Sequence, residues 1–409
     1  MEKLEKIKII RATTVPESLD TFCGGMLRKL SEKYEVVALS SPGKELDTIA
    51  TREGVKTIAV PMERHISLFK DIKALFSLIS VFRKGKPTMV HSMTPKAGML
   101  CMVAAWITRV PVRVHTFTGL VFPTSIGGKR KVLMFTDWLT CACATHVIPE
   151  GDGVKADLLN YGITKKPLKV LGYGNVRGVD LDFYSRRPEV MQIVSQKSLR
   201  LQTCFTFLFV GRIVRDKGIN ELCHAYQRIH EQYPNTRCWL VGAYEECLDP
   251  ISMTSKALIE QNDNGLESVG PKAGDELLAY YAAADCYVFP SYREGFPNTV
   301  LEAGAMGLPS IVTDINGSRE IIVQGVNGTI IPSKNEDALY KAMWLIINQP
   351  EEREMMASKA RQMVADRFEQ GFVRKCLYDF YDQILGKYKD ESNRHQSDAL
   401  DELQQVNKG

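Results

Sequence analysis

Short runs of β-branched and aromatic residues alternate with longer segments of helical periodicity, and the alternation occurs twice along the chain. In the first half the β-rich runs fall at residues 7–11, 34–40, 57–60, 89–92, 112–117, 145–149 and 168–171. Between them, segments such as 68–82 and 96–106 carry apolar residues at three- and four-residue steps. Parallel strands need long crossovers, and helical crossovers cover both faces of the sheet, so this pattern predicts a doubly wound parallel sheet. The second half repeats it, with strands at 205–210, 238–241, 268–270, 286–290 and 310–313 and helices at 219–230, 275–283 and 299–306. A single core rarely grows past about 250–300 residues, so 409 residues also call for two. Residues 181–201 have little apolar periodicity, and the boundary is expected there. The expected organisation is a first Rossmann-like domain over 1–187 and a second over 188–365. A C-terminal helix over 366–389 packs back on the first domain, and a polar tail fills 390–409. One long helical pattern covers 351–385, with a break near Gly371.

Charge and cysteine usage narrow the function classes. Lys and Arg total 52 against 48 Asp and Glu, and +4 is too small a surplus for a dedicated nucleic-acid binder. The ten cysteines form no CxxC pair and several sit in apolar runs, so reduced, buried thiols are expected rather than a zinc site or disulfide scaffold. The opening Met1-Glu2-Lys3-Leu4-Glu5-Lys6 is charged, unlike a signal peptide. The longest apolar stretch, 97–107, ends at Thr108-Arg109, short of the roughly 20 residues a span requires. A cytoplasmic protein is expected, soluble or at the inner face of the cell membrane.

In doubly wound sheets ligands bind beyond the carboxyl ends of the strands. No GxGxxG follows any strand and no GxxxxGK[ST] occurs, which disfavours nicotinamide, flavin and P-loop sites. After 205–210 comes Gly211-Arg212-Ile213-Val214-Arg215-Asp216-Lys217-Gly218. A guanidinium and an ammonium converging at a strand end suit a diphosphate, although an ordinary solvated turn has the same letters. After 286–290 comes a loop with Glu294, Gly295 and Phe296, and then a helix entry with Asn298 or Thr299 at its N-cap. The free N–H groups at such an entry attract anions, and Glu294 and Glu302 flank it as ligands for sugar and ribose hydroxyls.

The stretch Glu294–Glu302 matches the E-x7-E motif of retaining, GT-B-fold glycosyltransferases of family 4. Gly211-Arg212…Lys217-Gly218 resembles that family's donor-phosphate motif, Gly178-Val179-Asp180-Leu181-Asp182 its interdomain signature and Gly325-Val326-Asn327-Gly328 its late turn. His91-Ser92-Met93-Thr94-Pro95-Lys96-Ala97-Gly98 is similar to a segment of capsule and lipid-linked glycan transferases. The resemblance reaches to about Leu385.

It implies two Rossmann-like domains facing across a cleft, with a hexosyl or N-acetylhexosaminyl group moved from a nucleotide sugar, a UDP-sugar, with retention of configuration. The implied acceptor is a polyprenyl-diphosphate-linked or other glycan in bacterial surface polysaccharide synthesis. Position by position, Arg212 and Lys217 grip the donor diphosphate and Glu294 touches the transferred sugar. The backbone at Gly211, Phe296, Asn298 and Thr299 cradles sugar and phosphate, Glu302 holds the ribose, and Gly24-Gly25 approach the donor phosphate. His91, Thr94 and Lys96 face the acceptor. Relatives often carry a His where this chain has Thr118, so His115 is either a displaced catalytic group or a strand histidine with a satisfied hydrogen bond. Asp180-Leu181-Asp182 looks like a metal-binding DxD, but the resemblance puts it in the interdomain signature; no metal and no cofactor is expected. Residues 127–139 open with Lys129-Arg130-Lys131 and continue with large apolar residues, which suits either a helix packed on the sheet or one lying at an anionic membrane. The alternatives are a GT-B-fold nucleotide-sugar epimerase and a non-catalytic sugar-nucleotide-binding protein.

Overall fold

A computed structural model of the chain describes residues 6–63, 67–201, 203–245, 249–261 and 264–406, with side chains described to residue 388. The chain forms two compact units. The first comprises residues 1–150, 154–177 and 373–409, and the second 151–153 and 178–372.

The first unit runs β1 (Lys8–Ala12), α1 (Pro16–Cys23), α2 (Met26–Lys33), β2 (Glu35–Ser40), α3 (Lys44–Glu53) and β3 (Lys56–Ala59). It continues with α4 (Leu68–Gly85), β4 (Met89–Met93), α5 (Pro95–Ile107), β5 (Val112–Phe117), α6 (Gly127–Cys143), β6 (His146–Pro149) and α7 (Asp152–Asn160). The second unit runs α8 (Pro188–Gln196), β7 (Phe205–Val210), α9 (Ile219–Gln232), β8 (Thr236–Val241), α10 (Met253–Glu260), β9 (Leu266–Ser268) and α11 (Gly274–Ala283). It closes with β10 (Cys286–Phe289), α12 (Asn298–Ala305), β11 (Ser310–Thr313), α13 (Ser318–Ile321), β12 (Gly328–Ile331), α14 (Glu336–Asn348) and α15 (Pro350–Phe368). Helix α16 (Gln370–Val406) returns the chain to the first unit from Val373 onward.

Both sheets are six-stranded and parallel, with orders β3-β2-β1-β4-β5-β6 and β12-β11-β10-β7-β8-β9. Each therefore reverses its winding once, at β1/β4 and at β7/β10, and a crevice opens at such a switch point. Strand alternation divides the first unit's interior into two layers. Ile10, Val37 and Val90 meet Leu78, Phe82 and Leu100 on one face. Ile9, Val36, Met89 and Val114 meet Leu27, Leu30, Leu377 and Tyr381 on the other. Each fully buried large apolar side chain contributes about 1.5–3 kcal/mol relative to an exposed one.

Several boundaries differ from the sequence-based expectation. The second unit begins at Gly178, not at 188, because Val179 and Tyr184 join its core and Val179 pairs with the chain at Phe368 and Gln370. Residues 168–171 contribute one bridge, Val147 to Leu168, not a strand. Strand β12 was hidden by its brevity and by opening at Gly328, where a Cβ would lie 2.2 Å from the Ser310 carbonyl oxygen. The helical pattern over 351–385 breaks at Glu369 rather than Gly371, since the Glu369 carboxylate accepts the first N–H groups of α16, from Gly371 and Phe372.

One close approach sets the α5 layer on its sheet. Gly98 lies directly over His115, and a Cβ there would sit 2.4 Å from the ring Cε1. Gly98→Ala is expected to lower stability by about 1–3 kcal/mol through forced repacking, read as a shift of the urea midpoint.

Candidate functional site

The second unit's switch point gathers the cationic and acidic motifs. Gly218 has φ +71°, and a Cβ on it would lie 2.1 Å from the Pro290 carbonyl oxygen. Only glycine allows the 211–218 turn to press so closely on the end of β10. The Asp216 carbonyl accepts from the Tyr292 N–H at 2.8 Å and lies 3.2 Å from Ser291 Oγ, which ties the two loops together. Lys217 and Glu294, 77 positions apart, thereby form an ion pair in which each side chain is 17% exposed. Ser291 Oγ also lies 2.9 Å from Glu294 Oε1, the shortest of the contacts its single proton can serve, and the ammonium of Lys217 lies 5.3 Å from the centre of the Phe289 ring.

The other cations at this edge are more exposed. Arg212 pairs with Glu245, Arg215 with Asp249 at 3.0 Å, and Arg293 with Asp216 at 3.1 Å. Exposed pairs of this kind contribute about 0–1 kcal/mol, so their guanidiniums exchange partners easily. The pair of Lys217 and Glu294 is the more enclosed and holds one geometry.

Helix α12 starts one residue away from expectation: Pro297 is its N-cap and Asn298 its first helical residue. Phe296 turns its ring inward, 5.3 Å from that of Phe368. The loop before the helix is walled by Gly317, where a Cβ would lie 2.6 Å from the Gly295 carbonyl oxygen. Glu302 is buried beneath this helix entry and accepts from Tyr184 at 2.8 Å and from Tyr281 at 3.2 Å. Burial, with Glu302 alongside, pushes the Tyr281 hydroxyl well above its ordinary value and keeps it a donor. Tyr184, Tyr281 and Gly317 carry no spacing signal; they meet Glu302 and its loop only through folding. Asp180 of the apparent DxD spends its Oδ1 on the N–H groups of Asp182 and Phe183 at 3.0 and 2.9 Å.

The first unit gives the other candidate residues the following surroundings. His115 is a core histidine: Ser92 Oγ meets its Nδ1 at 2.9 Å, Phe117 packs edge-on at 4.5 Å, and burial holds its pKa down to about 3. His91 is equally buried, with Arg11 2.8 Å from Nδ1 and Thr116 2.7 Å from Nε2. Burial and the Arg11 charge keep it neutral, well below the usual histidine range. Lys96 is committed to Asp71, both of whose oxygens lie 2.6 Å away. Gly24 and Gly25 are a junction between α1 and α2, not the turn after β1, and the Gly25 N–H donates to Glu53 at 2.8 Å. Thr94 alone of the expected acceptor residues stands at the β1/β4 switch point, where its Oγ1 bonds the backbone and hydroxyl of Thr14 at 3.1 and 2.8 Å.

Helix α6 packs Leu133, Met134 and Leu139 inward and leaves Val132, Phe135 and Trp138 exposed. Among the described residues no helix is long and apolar enough to cross a membrane.

Comparison with known proteins agrees with this architecture. Residues 191–363 match the glycosyl transferases group 1 family, and residues 21–174 match the glycosyl transferase 4-like domain. The capsular polysaccharide biosynthesis glycosyltransferase CapM of Staphylococcus aureus is 30% identical over 379 residues, 92% of this chain and 97% of its own. The Escherichia coli UDP-Gal:α-D-GlcNAc-diphosphoundecaprenol α-1,3-galactosyltransferase is 29% identical over 349 residues, 82% of this chain and 86% of its own. HepE of Anabaena, solved with UDP and glucose, shares the fold at TM-score 0.75 and 17% identity, across 92% of this chain and 100% of its own.

The two buried histidines give a signed pH dependence. Unfolded histidines bind a proton below about 6.5, whereas His91 and His115 in the folded chain do not until far lower pH. Stability is therefore lost as pH falls through 6.5, by about 2 kcal/mol per histidine between pH 6.5 and 5. Urea unfolding of His115→Asn should show roughly half of the wild-type loss attributable to the pair. A wild-type pH slope in that variant would contradict the neutral, buried assignment.

Proposed function

Because the chain belongs to the family 4 glycosyltransferases of GT-B fold, we propose that it transfers a hexose or N-acetylhexosamine from a UDP-sugar to a polyprenyl-diphosphate-linked or other glycan acceptor, with retention of configuration. The observation that carries the reading is the enclosed pair of Lys217 and Glu294 at the β7/β10 switch point, with Arg212 on the same turn after β7. UDP and glucose in the Anabaena structure support a UDP-sugar donor. The named reaction of the Escherichia coli relative, and the capsular role in the name of CapM, support a lipid-linked acceptor in surface polysaccharide synthesis.

In this reading the donor diphosphate takes over Lys217 and Arg212 from their carboxylates. Glu294, released from the ammonium, is then free to accept from hydroxyls of the transferred sugar. The ribose hydroxyls bond Glu302, whose carboxylate Tyr184 and Tyr281 hold in place. The backbone N–H groups opening α12 and the two cations stabilise charge on the leaving diphosphate as the bond from the anomeric carbon to phosphate oxygen breaks. The acceptor hydroxyl attacks the same face of the sugar and passes its proton to the departing phosphate oxygen. His115, neutral in the core, takes no part, and the phosphate charge is met by these residues without a metal or cofactor. The acceptor is held near Thr94 at the first unit's switch point, and the basic, apolar segment 127–139 rests on the inner face of the membrane.

Lys217→Ala and Glu294→Ala should each lower transfer by about 10²–10³-fold while leaving the unfolding midpoint near that of the wild type. The assay supplies a panel of UDP-sugars with a polyprenyl-diphosphate-linked acceptor, and the product's anomeric configuration is read by NMR. Inversion, or near-normal rates in both variants, would refute the reading. Turnover of a UDP-sugar without acceptor would instead indicate an epimerase.

A further inference from the structure

The helical layer formed by α4, α5 and α6 on one face of the first unit's sheet has an unusual outer surface. Helix α5 packs against both α4 and α6. On α4, Leu68, Phe69, Ile72 and Phe76 project outward, with Phe69 87% and Phe76 66% exposed. Leu68, Ile72 and Phe76 recur at four-residue steps and form a single stripe along the helix. Ile126, the N-cap of α6, is 86% exposed, and in the middle of the helix Phe135, 58% exposed, stacks on Trp138 at 5.8 Å. Crossover helices run antiparallel to the strands they join, so the first turns of both α4 and α6 stand at the carboxyl edge of the sheet. Exposed apolar side chains on this scale mark a contact surface rather than ordinary scatter.

Charge identifies what the surface contacts. Of the cations in residues 67–149, Lys70, Lys73, Lys129, Arg130 and Lys131 stand on the early turns of α4 and α6, while Arg83, Lys84, Lys86, Arg109 and Arg113 lie toward the opposite edge; the acids of this segment are Asp71 and Asp137. Both acids are turned inward. Asp71 binds Lys96, and Asp137 is buried, which pushes its carboxyl up to about 7. Among the other cations Lys70 pairs with Glu63, and Arg130 lies over the Tyr161 ring at 5.3 Å. A second copy docking face to face would bring this cation-rich surface, where Glu63 is already paired with Lys70, against itself, a repulsion that a symmetric interface repeats on both sides.

We infer that the apolar stripe of α4 and the basic start and aromatic middle of α6 form one bipartite surface that seats the first unit on an anionic phospholipid bilayer. The inference extends to α4 the contact proposed above for 127–139 and rests on that reading's lipid-bound acceptor. Aromatic and aliphatic tips enter the headgroup boundary while Lys73, Lys129 and Lys131 meet lipid phosphates. Two anchor lines on one helical layer fix the tilt of the sheet to the bilayer, which a single helix, free to roll about its axis, does not.

The test is co-sedimentation of the full-length protein with vesicles of phosphatidylcholine alone and of phosphatidylcholine mixed with phosphatidylglycerol. Wild type should bind the mixed vesicles at least about tenfold more tightly, and added salt should weaken that binding. Phe69→Ser/Phe76→Ser and Phe135→Ser/Trp138→Ser should each weaken it by about tenfold or more, as expected for losing two buried aromatic anchors. Lys129→Gln/Lys131→Gln should weaken it by about tenfold on mixed vesicles only. UDP-dependent thermal stabilisation, measured on every variant, should stay at the wild-type level. Its absence in wild type would count against the donor-site reading without touching the surface. Wild-type vesicle binding by the α4 variant, with loss in the α6 variant, would overturn the bipartite surface and leave the α6 contact. Equal binding to both vesicle types would overturn the anionic partner. Lipid-independent self-association that the α4 substitutions abolish would identify a second copy as the occupant and overturn it as well.

Discussion

The approach of the Gly218 backbone to the Pro290 carbonyl is the constraint on which the rest of the second unit's site depends. A side chain at 218 would collide with that carbonyl, and the φ of +71° is one that glycine adopts without strain. With the turn pressed on the strand end, the Asp216 carbonyl bonds the Tyr292 N–H, and Lys217 falls beside Glu294. The same strand end leads into the loop walled by Gly317 and then into α12. Cations, carboxylates and a helix N-terminus converge because two parallel strands diverge in winding at that place, leaving a crevice that their connecting loops must line.

The first unit is organised around a different problem, a buried guanidinium. Arg11 on β1 is enclosed, and its neighbours are neutral: His91 at 2.8 Å, the Tyr381 hydroxyl, Cys23 Sγ at 3.2 Å and Met93 Sδ at 3.1 Å. Burying an unaccompanied charge is costly, and hydrogen bonds recover part of that cost. Tyr381 comes from α16, so the last helix completes a polar cluster that the strands alone leave open. This explains why the chain returns to the first unit after finishing the second. It also explains why His91 stays neutral, and so why a histidine at a strand end serves structure here.

Much of the architecture was legible because parallel sheets impose periodicity. Strands at 112–117, 205–210 and 310–313 agree with the structure to the residue, since buried β-branched runs bounded by turn signals have few other uses. Strand β12 and the boundary at Gly178 were not legible. A four-residue edge strand opening on glycine has no pattern of its own, and the placement of Val179 and Tyr184 is decided by partners at Phe368 and Glu302. Among candidate site residues, Arg212, Lys217, Glu294 and Glu302 could be picked out because motif spacing places them after strands β7 and β10. His115, His91, Lys96 and the Gly24-Gly25 pair have equally suggestive letters, but their surroundings consume them. The outward stripe of α4 was missed for the same reason. The apolar steps over 68–82 mark a helix, and periodicity does not tell which apolar side of a helix finds a partner.

By itself the sequence determined that this chain builds two doubly wound sheets and places charged, glycine-bounded turns at particular strand ends. Those features are local, set by side-chain period and by what glycine alone permits in the backbone. Tertiary structure decided which polar groups remain available. Whether a histidine is a base or a core acceptor, whether a lysine meets a phosphate or an aspartate, and whether an aromatic stripe is interior or surface depend on neighbours tens or hundreds of positions away. Burial sets their protonation and pairing, and burial is a property of the folded chain.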